Sequence, residues 1–155
     1  DLFNAGQRPA INAGLSVSRV GSAAQTKAMS KGAGSLRADL SQYRELAAFA
    51  QFGSDLDPAT QRQLERGKRL MELLKQPQYS PYSLEHEVEL IYAGTRGYLD
   101  EIEIDDLERW TKEFTRYMDT GHPDLTAELA AGNWSDEIDK GLAAAIVDFN
   151  KSWSA

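Results

Sequence analysis

Along most of this chain apolar residues recur at spacings of three and four, the mark of helices that bury one face. Leu36, Leu40, Tyr43, Leu46, Ala47 and Ala50 line up in this way and predict a long helix from Ser22 to about Phe52. Gly32 and Gly34 interrupt its start. Each costs about 1 kcal/mol against alanine in a helix interior, so a kink or a break into two helices is expected there. Gly53 to Pro58 reads as a stop, a turn and a new start, with Asp57 as cap and Pro58 in the first helical position. The next helix runs to about Lys75 with Leu64, Leu70, Met71 and Leu74 inward. Pro77 and Pro81 then rule out regular helix over residues 76–82. Ser83 is expected to cap a third helix (Leu84, Val88, Ile91, Tyr92) that ends near Gly94 or Gly97. A loop leads to a fourth, from Asp105, whose stripe is Leu107, Trp110, Phe114, Tyr117 and Met118. Gly121 closes it and Pro123 opens a short helix to Ala131. Ser135-Asp136-Glu137 starts the last helix, with Ile138, Leu142, Ile146, Phe149 and Trp153 on one face. The expected fold is an all-α bundle of five or six helices.

The first twenty-one residues do not fit this period. Leu15, Val17 and Val20 form a short run that favours extended backbone, followed by a Gly21-Ser22-Ala23-Ala24 turn in which Ser22 is placed to cap a helix. Arg19 therefore stands at a predicted strand–helix junction, where anions are often held, although on local grounds a surface salt bridge accounts for it better. Residues 1–21 have too few apolar groups to offset their own ordering entropy, so they are expected to pack on something not obvious within the chain. This divides the sequence into a short extended or loop segment, 1–21, and a helical domain, 22–155.

Composition narrows the function. The 155 residues with three Trp and 41% apolar content can bury one core. There is no Cys, which removes disulfides and thiolate chemistry. The net charge of −7 argues against nucleic acid or an anionic membrane as a general partner. That charge is uneven: up to Gly53 the basic residues Arg8, Arg19, Lys27, Lys31, Arg37 and Arg44 face only Asp1, Asp39 and Glu45. No apolar run approaches the roughly 20 residues of a membrane span, and no signal-peptide pattern is visible. The chain starts at Asp1 without Met and is expected to be a fragment.

Few residues offer chemistry of their own. His86 and His122 fall on different predicted elements without partners at ligand spacing, so no metal site is expected. Ser16 and Ser18 flank Arg19 without a nucleophile elbow. Gly32-Ala33-Gly34 lacks the third glycine of a dinucleotide loop, and Gly67-Lys68-Arg69 lacks the rest of a phosphate loop. The acidic run from Asp100 to Glu108 reads as charge at a helix amino terminus. Gln76 and Gln78, on a proline-stiffened loop, carry amides able to donate to and accept from an adenine edge; as a bare pattern they are a turn.

Two blocks raise the stakes of Arg19 and these amides. Arg8-Pro9-Ala10-Ile11-Asn12 with Leu15-Ser16-Val17-Ser18-Arg19-Val20-Gly21-Ser22-Ala23-Ala24-Gln25, and the run from Ala38 to Asp57, resemble the alpha subunit of F-type ATP synthases. The likeness continues in Glu72 to Pro81 and in Tyr92-Ala93-Gly94-Thr95-Arg96-Gly97-Tyr98-Leu99, and is looser beyond. The resemblance implies the end of an α/β nucleotide-binding domain (1–21) followed by that subunit's helical carboxy-terminal domain. It implies that Arg19 is an arginine finger acting in trans on a beta-subunit catalytic site, with Ser16 a further required position of the same motif. It assigns Gln76, Gln78, Phe3, Arg8 and Pro9 to the adenine pocket of a non-catalytic ATP/ADP site, the Mg2+ being held by parts of the complex outside this chain. The implied partners are alternating beta subunits, a central-stalk gamma subunit and a peripheral-stalk delta-type subunit, with the membrane met only indirectly. The implied place is the cytoplasmic face of a bacterial plasma membrane or the matrix or stromal face of an organelle membrane. Phe49 to Asp57 and Tyr98 to Ile102 would face the central stalk and couple its rotation to ATP synthesis. Pro77 and Gly32 depart from the family's commoner residues. The complex would be a proton-translocating ATPase, or a sodium-coupled relative, and the fragment alone inactive. The alternative is a free-standing helical interaction domain with a basic amino-terminal docking segment.

Overall fold

The computed structural model describes residues 2–15, 17–50 and 56–153, with the side chain of Ser22 left aside. Among them the chain forms seven α-helices and no strand: α1 Lys27–Gly32, α2 Leu36–Ala50, α3 Pro58–Leu73, α4 Leu84–Thr95, α5 Leu107–Gly121, α6 Pro123–Ala130 and α7 Asp136–Ser152. Six have eight residues or more; α1 is the short piece cut off at Gly32-Ala33-Gly34. The break has a packing reason as well as a propensity one. A Cβ on Gly32 would lie 2.8 Å from both Val88 and Trp134, so this residue lets α1 press against α4.

Starts and stops follow side-chain chemistry. Asp57 Oδ1 accepts from the amides of Ala59 (2.9 Å) and Thr60 (3.1 Å), with Pro58 next, as the sequence predicts. Ser135 Oγ accepts from Ile138 N at the start of α7. Ser83 occupies the cap position of α4 but makes no side-chain cap bond. The first long helix begins later than its pattern suggests. Residues 21–24 form a 3-10 turn, and Thr26 caps α1 by accepting from Met29 N. The capping role given to Ser22 lies outside the described side chains.

Helix α4 packs against each of the other six helices. Around it the core gathers Val88, Leu90, Tyr92 and Ala93 with Leu107, Trp110, Phe114 and Met118 of α5 and Ile138, Leu142, Ile146 and Phe149 of α7. Trp110 stacks on Phe114 (centroids 4.6 Å apart) and meets Phe149 edge-on at 5.7 Å, the geometries that ring quadrupoles favour. The turn after α4 is pinned to α3. Arg66 grips Asp100 in a two-pronged pair (Nε–Oδ1 3.1 Å), and buried Arg69 donates through Nε to the Ile102 carbonyl at 2.9 Å.

Among the described residues of the expected strand from Leu15 to Val20, none is in a strand. Ala13–Leu15 is a 3-10 turn, and Leu15, Val17 and Val20 are exposed. A strand needs a neighbour for its N–H and C=O groups, and the described residues offer none. The amino-terminal segment nevertheless docks within the chain, contrary to expectation. Ser41 Oγ of α2 donates to Gly14 O at 3.0 Å, and Gly14 is buried so close that a Cβ would sit 3.3 Å from Ser41 N. Gln76 N donates to Arg8 O at 2.9 Å, which ties the segment to the loop after α3 as well.

Candidate base-binding cleft

Two pieces of irregular backbone meet at the Arg8–Gln76 hydrogen bond, and a cleft of about 720 Å³ opens between them. Phe3, Arg8, Pro9 and Ala10 form one wall, and the loop from Gln76 to Pro81 forms the other. Prolines explain why neither wall is helical: Pro9 and Pro77 lack an amide to donate, and the residue before each is driven from helical backbone. A cleft of this volume suits a ligand the size of a nucleotide base with its sugar.

All five residues that the family resemblance would put in an adenine pocket line this cleft: Phe3, Arg8, Pro9, Gln76 and Gln78. The Arg8 guanidinium lies over the Phe3 ring, 4.5 Å from its centroid. That stack holds a flat cationic group and an aromatic ring, both exposed (Phe3 at 57%), beside the open space. The amide of Gln76 is anchored through its backbone, and Gln78 and Pro77 are exposed on the loop. Chemically the walls offer a planar stacking surface and side-chain amides with both donors and acceptors.

The sequence missed part of this lining. Tyr79 stands at the rim, 93% exposed, with φ at +62° in the left-handed region. Ser80 and Pro81 complete the wall. Their signal was adjacency: they continue the turn that carries both glutamines.

Behind the Arg8–Gln76 seam lies a second cleft of about 310 Å³, reached by Glu72, Lys75, Tyr82, Glu108, Thr111 and Lys112. Arg8 lines it too, and its two lysines are matched within it, Lys75 by Glu72 and Lys112 by Glu108. Burial, with the Glu108 charge next, pushes the Tyr82 hydroxyl above its ordinary range, so this wall presents a neutral phenol.

Arg19 does not line either cleft. It is exposed in a bend just before Gly21, whose backbone turns left-handed (φ +54°) and whose amide donates to Ser18 Oγ at 3.0 Å. Ser16 lies outside the described residues. Among the described residues no group of three or more His, Asp or Glu is placed to hold a metal ion. His86 pairs instead with Asp119 (2.9 Å) and His122 with the Tyr117 hydroxyl (3.1 Å). No described helix is long and apolar enough to cross a membrane.

The fold and the cleft thus define an all-α domain with an open, base-sized cleft at the seam between an amino-terminal arm and the helical body. Residues 25–149 match the family described as "ATP synthase alpha/beta chain, C terminal domain", and the chain belongs to that family. It is 58% identical over 149 residues to the ATP synthase subunit alpha of Salinispora arenicola, an overlap of 96% of this chain and 27% of that protein. The subunits alpha of Salinispora tropica and Thermobifida fusca are each 54% identical, over 97% and 99% of this chain and 28% of their own length. The chain therefore spans a little over a quarter of these relatives, and corresponds to their carboxy-terminal part.

Proposed function

We propose that this chain works as the carboxy-terminal part of an alpha subunit in a proton-translocating F-type ATP synthase. In that reading it sits in a ring alternating with beta subunits, around a gamma-type central stalk, with a delta-type peripheral stalk engaged through the rest of alpha. The complex lies on one face of an energy-coupling membrane. The observation that carries the reading is the convergence of Phe3, Arg8, Pro9, Gln76 and Gln78 on one base-sized cleft. Adenine of a non-catalytic ATP or ADP would lie along the Phe3–Arg8–Pro9 wall and exchange hydrogen bonds with the two glutamine amides. Mg2+, which neutralises nucleotide phosphate charge when bound, would be held by residues outside this chain.

Arg19 acts on a neighbour rather than on this cleft. Its exposure, beside a glycine turn, suits a guanidinium that reaches across a subunit boundary to a terminal phosphate. A planar, permanently charged fork neutralises charge spread over transferring phosphoryl oxygens. Ser16, three residues before it, would hold the shape of that turn. The stretches 49–57, of which 51–55 lie outside the described residues, and 98–102 would transmit rotation of the central stalk. The separate fragment has no phosphate loop and is expected to turn over no ATP.

The test uses the assembled complex. Arg19→Ala is expected to lower multi-site ATP turnover by about 10³-fold or more, with assembly intact. Turnover within a few-fold of wild type would refute the arginine-finger role. Gln76→Ala and Gln78→Ala should each weaken nucleotide retention at the non-catalytic site by about tenfold, the worth of one lost amide pairing. Unchanged retention of radiolabelled ATP in the double variant would refute the cleft assignment.

A further inference from the structure

Glu89 is a carboxylic acid in the middle of the core. It is 0% exposed on α4, the helix that the six others surround. Its Oε1 accepts one long hydrogen bond, 3.3 Å, from the Thr126 hydroxyl of α6, and its Oε2 has no partner among the described residues. An ionised carboxylate has about four lone-pair sites to satisfy, and here one weak donor serves them all. The charges facing it are unhelpful to an anion: Asp119 of α5 and Glu85 one turn back on α4. His86, the nearby cation when protonated, is committed to Asp119 at 2.9 Å. Among the described residues, Asp119 and Glu85 are the charges that bear on the carboxyl. Gly32 of α1 and Leu70 and Leu73 of α3 meet α4 at Val88 and Gly94. Asp139 of α7 is engaged by Tyr92 and Arg96, and Asp124 and Glu128 of α6 line a separate cleft with Glu137.

Helix α6, whose Thr126 reaches Glu89, is also a short one. Helix α6 has eight residues between Gly121-His122 and the left-handed Gly132 (φ +78°), and its buried side chain is Leu129. We propose that Glu89 is a proton-binding site that latches α6 onto α4: α6 lies closed while the acid holds its proton, and opens to admit water when the proton leaves. With the proton in place the buried group is neutral and α6 seals it. Without it, a desolvated anion faces Asp119, and the least costly relief is to move the short helix that bars it from solvent. Only a proton moves, to bulk water. The same surroundings, burial first and Asp119 second, push the acid up to about 8, so the change falls near the alkaline side of neutrality.

Hydrogen exchange of residues 123–130, followed by mass spectrometry on the full chain between pH 6 and 9.5 and corrected for intrinsic rates, reads the latch directly. Wild type is expected to lose at least tenfold in protection with a midpoint near pH 8. Glu89→Gln, which keeps the shape and cannot ionise, should stay protected throughout. Asp119→Asn removes the repelling charge and should move the midpoint to lower pH. Protection that is flat with pH in wild type would overturn the proposal, as would loss of protection in Glu89→Gln parallel to wild type. If Glu89→Gln does not fold, an unmoved midpoint in Asp119→Asn overturns it.

Discussion

Asn150 shows how much one polar side chain can organise. Its Oδ1 accepts from the indole of Trp110 at 2.8 Å, and its Nδ2 donates to the Tyr98 carbonyl at 2.8 Å. One amide thus joins α7, α5 and the turn after α4, and satisfies an indole N–H whose ring is fully buried. Asn150→Ala leaves a buried donor and a carbonyl unpaired, each worth about 1–3 kcal/mol. The expected result is a drop of about 2–4 kcal/mol in unfolding free energy, measured from urea transitions. A loss below about 0.5 kcal/mol would mean that water replaces the amide on both sides. Nothing in the sequence pattern marked this residue. An asparagine near the end of an amphipathic helix is ordinary, and its partners lie 40 and 52 residues away.

At the scale of elements, α2 and α3 are held together by an absence. Gly67 is buried in α3 beneath the ring of Tyr43, and an added Cβ would lie 2.3 Å from Tyr43 Cδ2. In the sequence Gly67 stands out only as a piece of a phosphate-loop pattern; its use is close helix packing. Gly67→Ala raises intrinsic helix propensity yet is expected to destabilise by about 1–3 kcal/mol, because the ring must move. Adding Tyr43→Ala should recover part of that loss, and a double-mutant cycle measures the coupling. Simple additivity would show that the ring yields freely. Caps are more legible because they are local. Ser135→Ala should cost about 1 kcal/mol, read as a lower thermal midpoint, since only the Ile138 amide loses its partner.

Over the whole molecule, one buried acid gives stability a slope with pH. Burial raises Glu89 from its usual 4.5 to about 8, so between these values the native chain keeps a proton that the unfolded chain gives up. Its contribution is complete below pH 4.5 and is lost as pH rises to about 8, at a slope approaching 1.4 kcal/mol per pH unit. Glu89→Gln removes that slope. The difference in unfolding free energy between variant and wild type should therefore grow from pH 5 to pH 8 and level off above. Equal slopes in the two proteins would mean that Glu89 ionises normally in the native state.

By itself the sequence determined the helices, their main stops and the core stripes of α5 and α7, since period, proline, glycine and caps act within a few residues. Through resemblance it also pointed to five side chains that line one cleft, Phe3, Arg8, Pro9, Gln76 and Gln78. Tertiary structure alone decided the rest. Leu15, Val17 and Val20 carry a strand pattern but find no neighbouring strand among the described residues, and they stay exposed. The amino-terminal arm settles on α2 and the Gln76 loop through contacts tens of residues apart, which makes the cleft. Glu89 sits on what reads as an ordinary polar position until helices close over it from α5 and α6. A local pattern tells which face of a helix is apolar; how many neighbours that helix will have is a property of the packed chain.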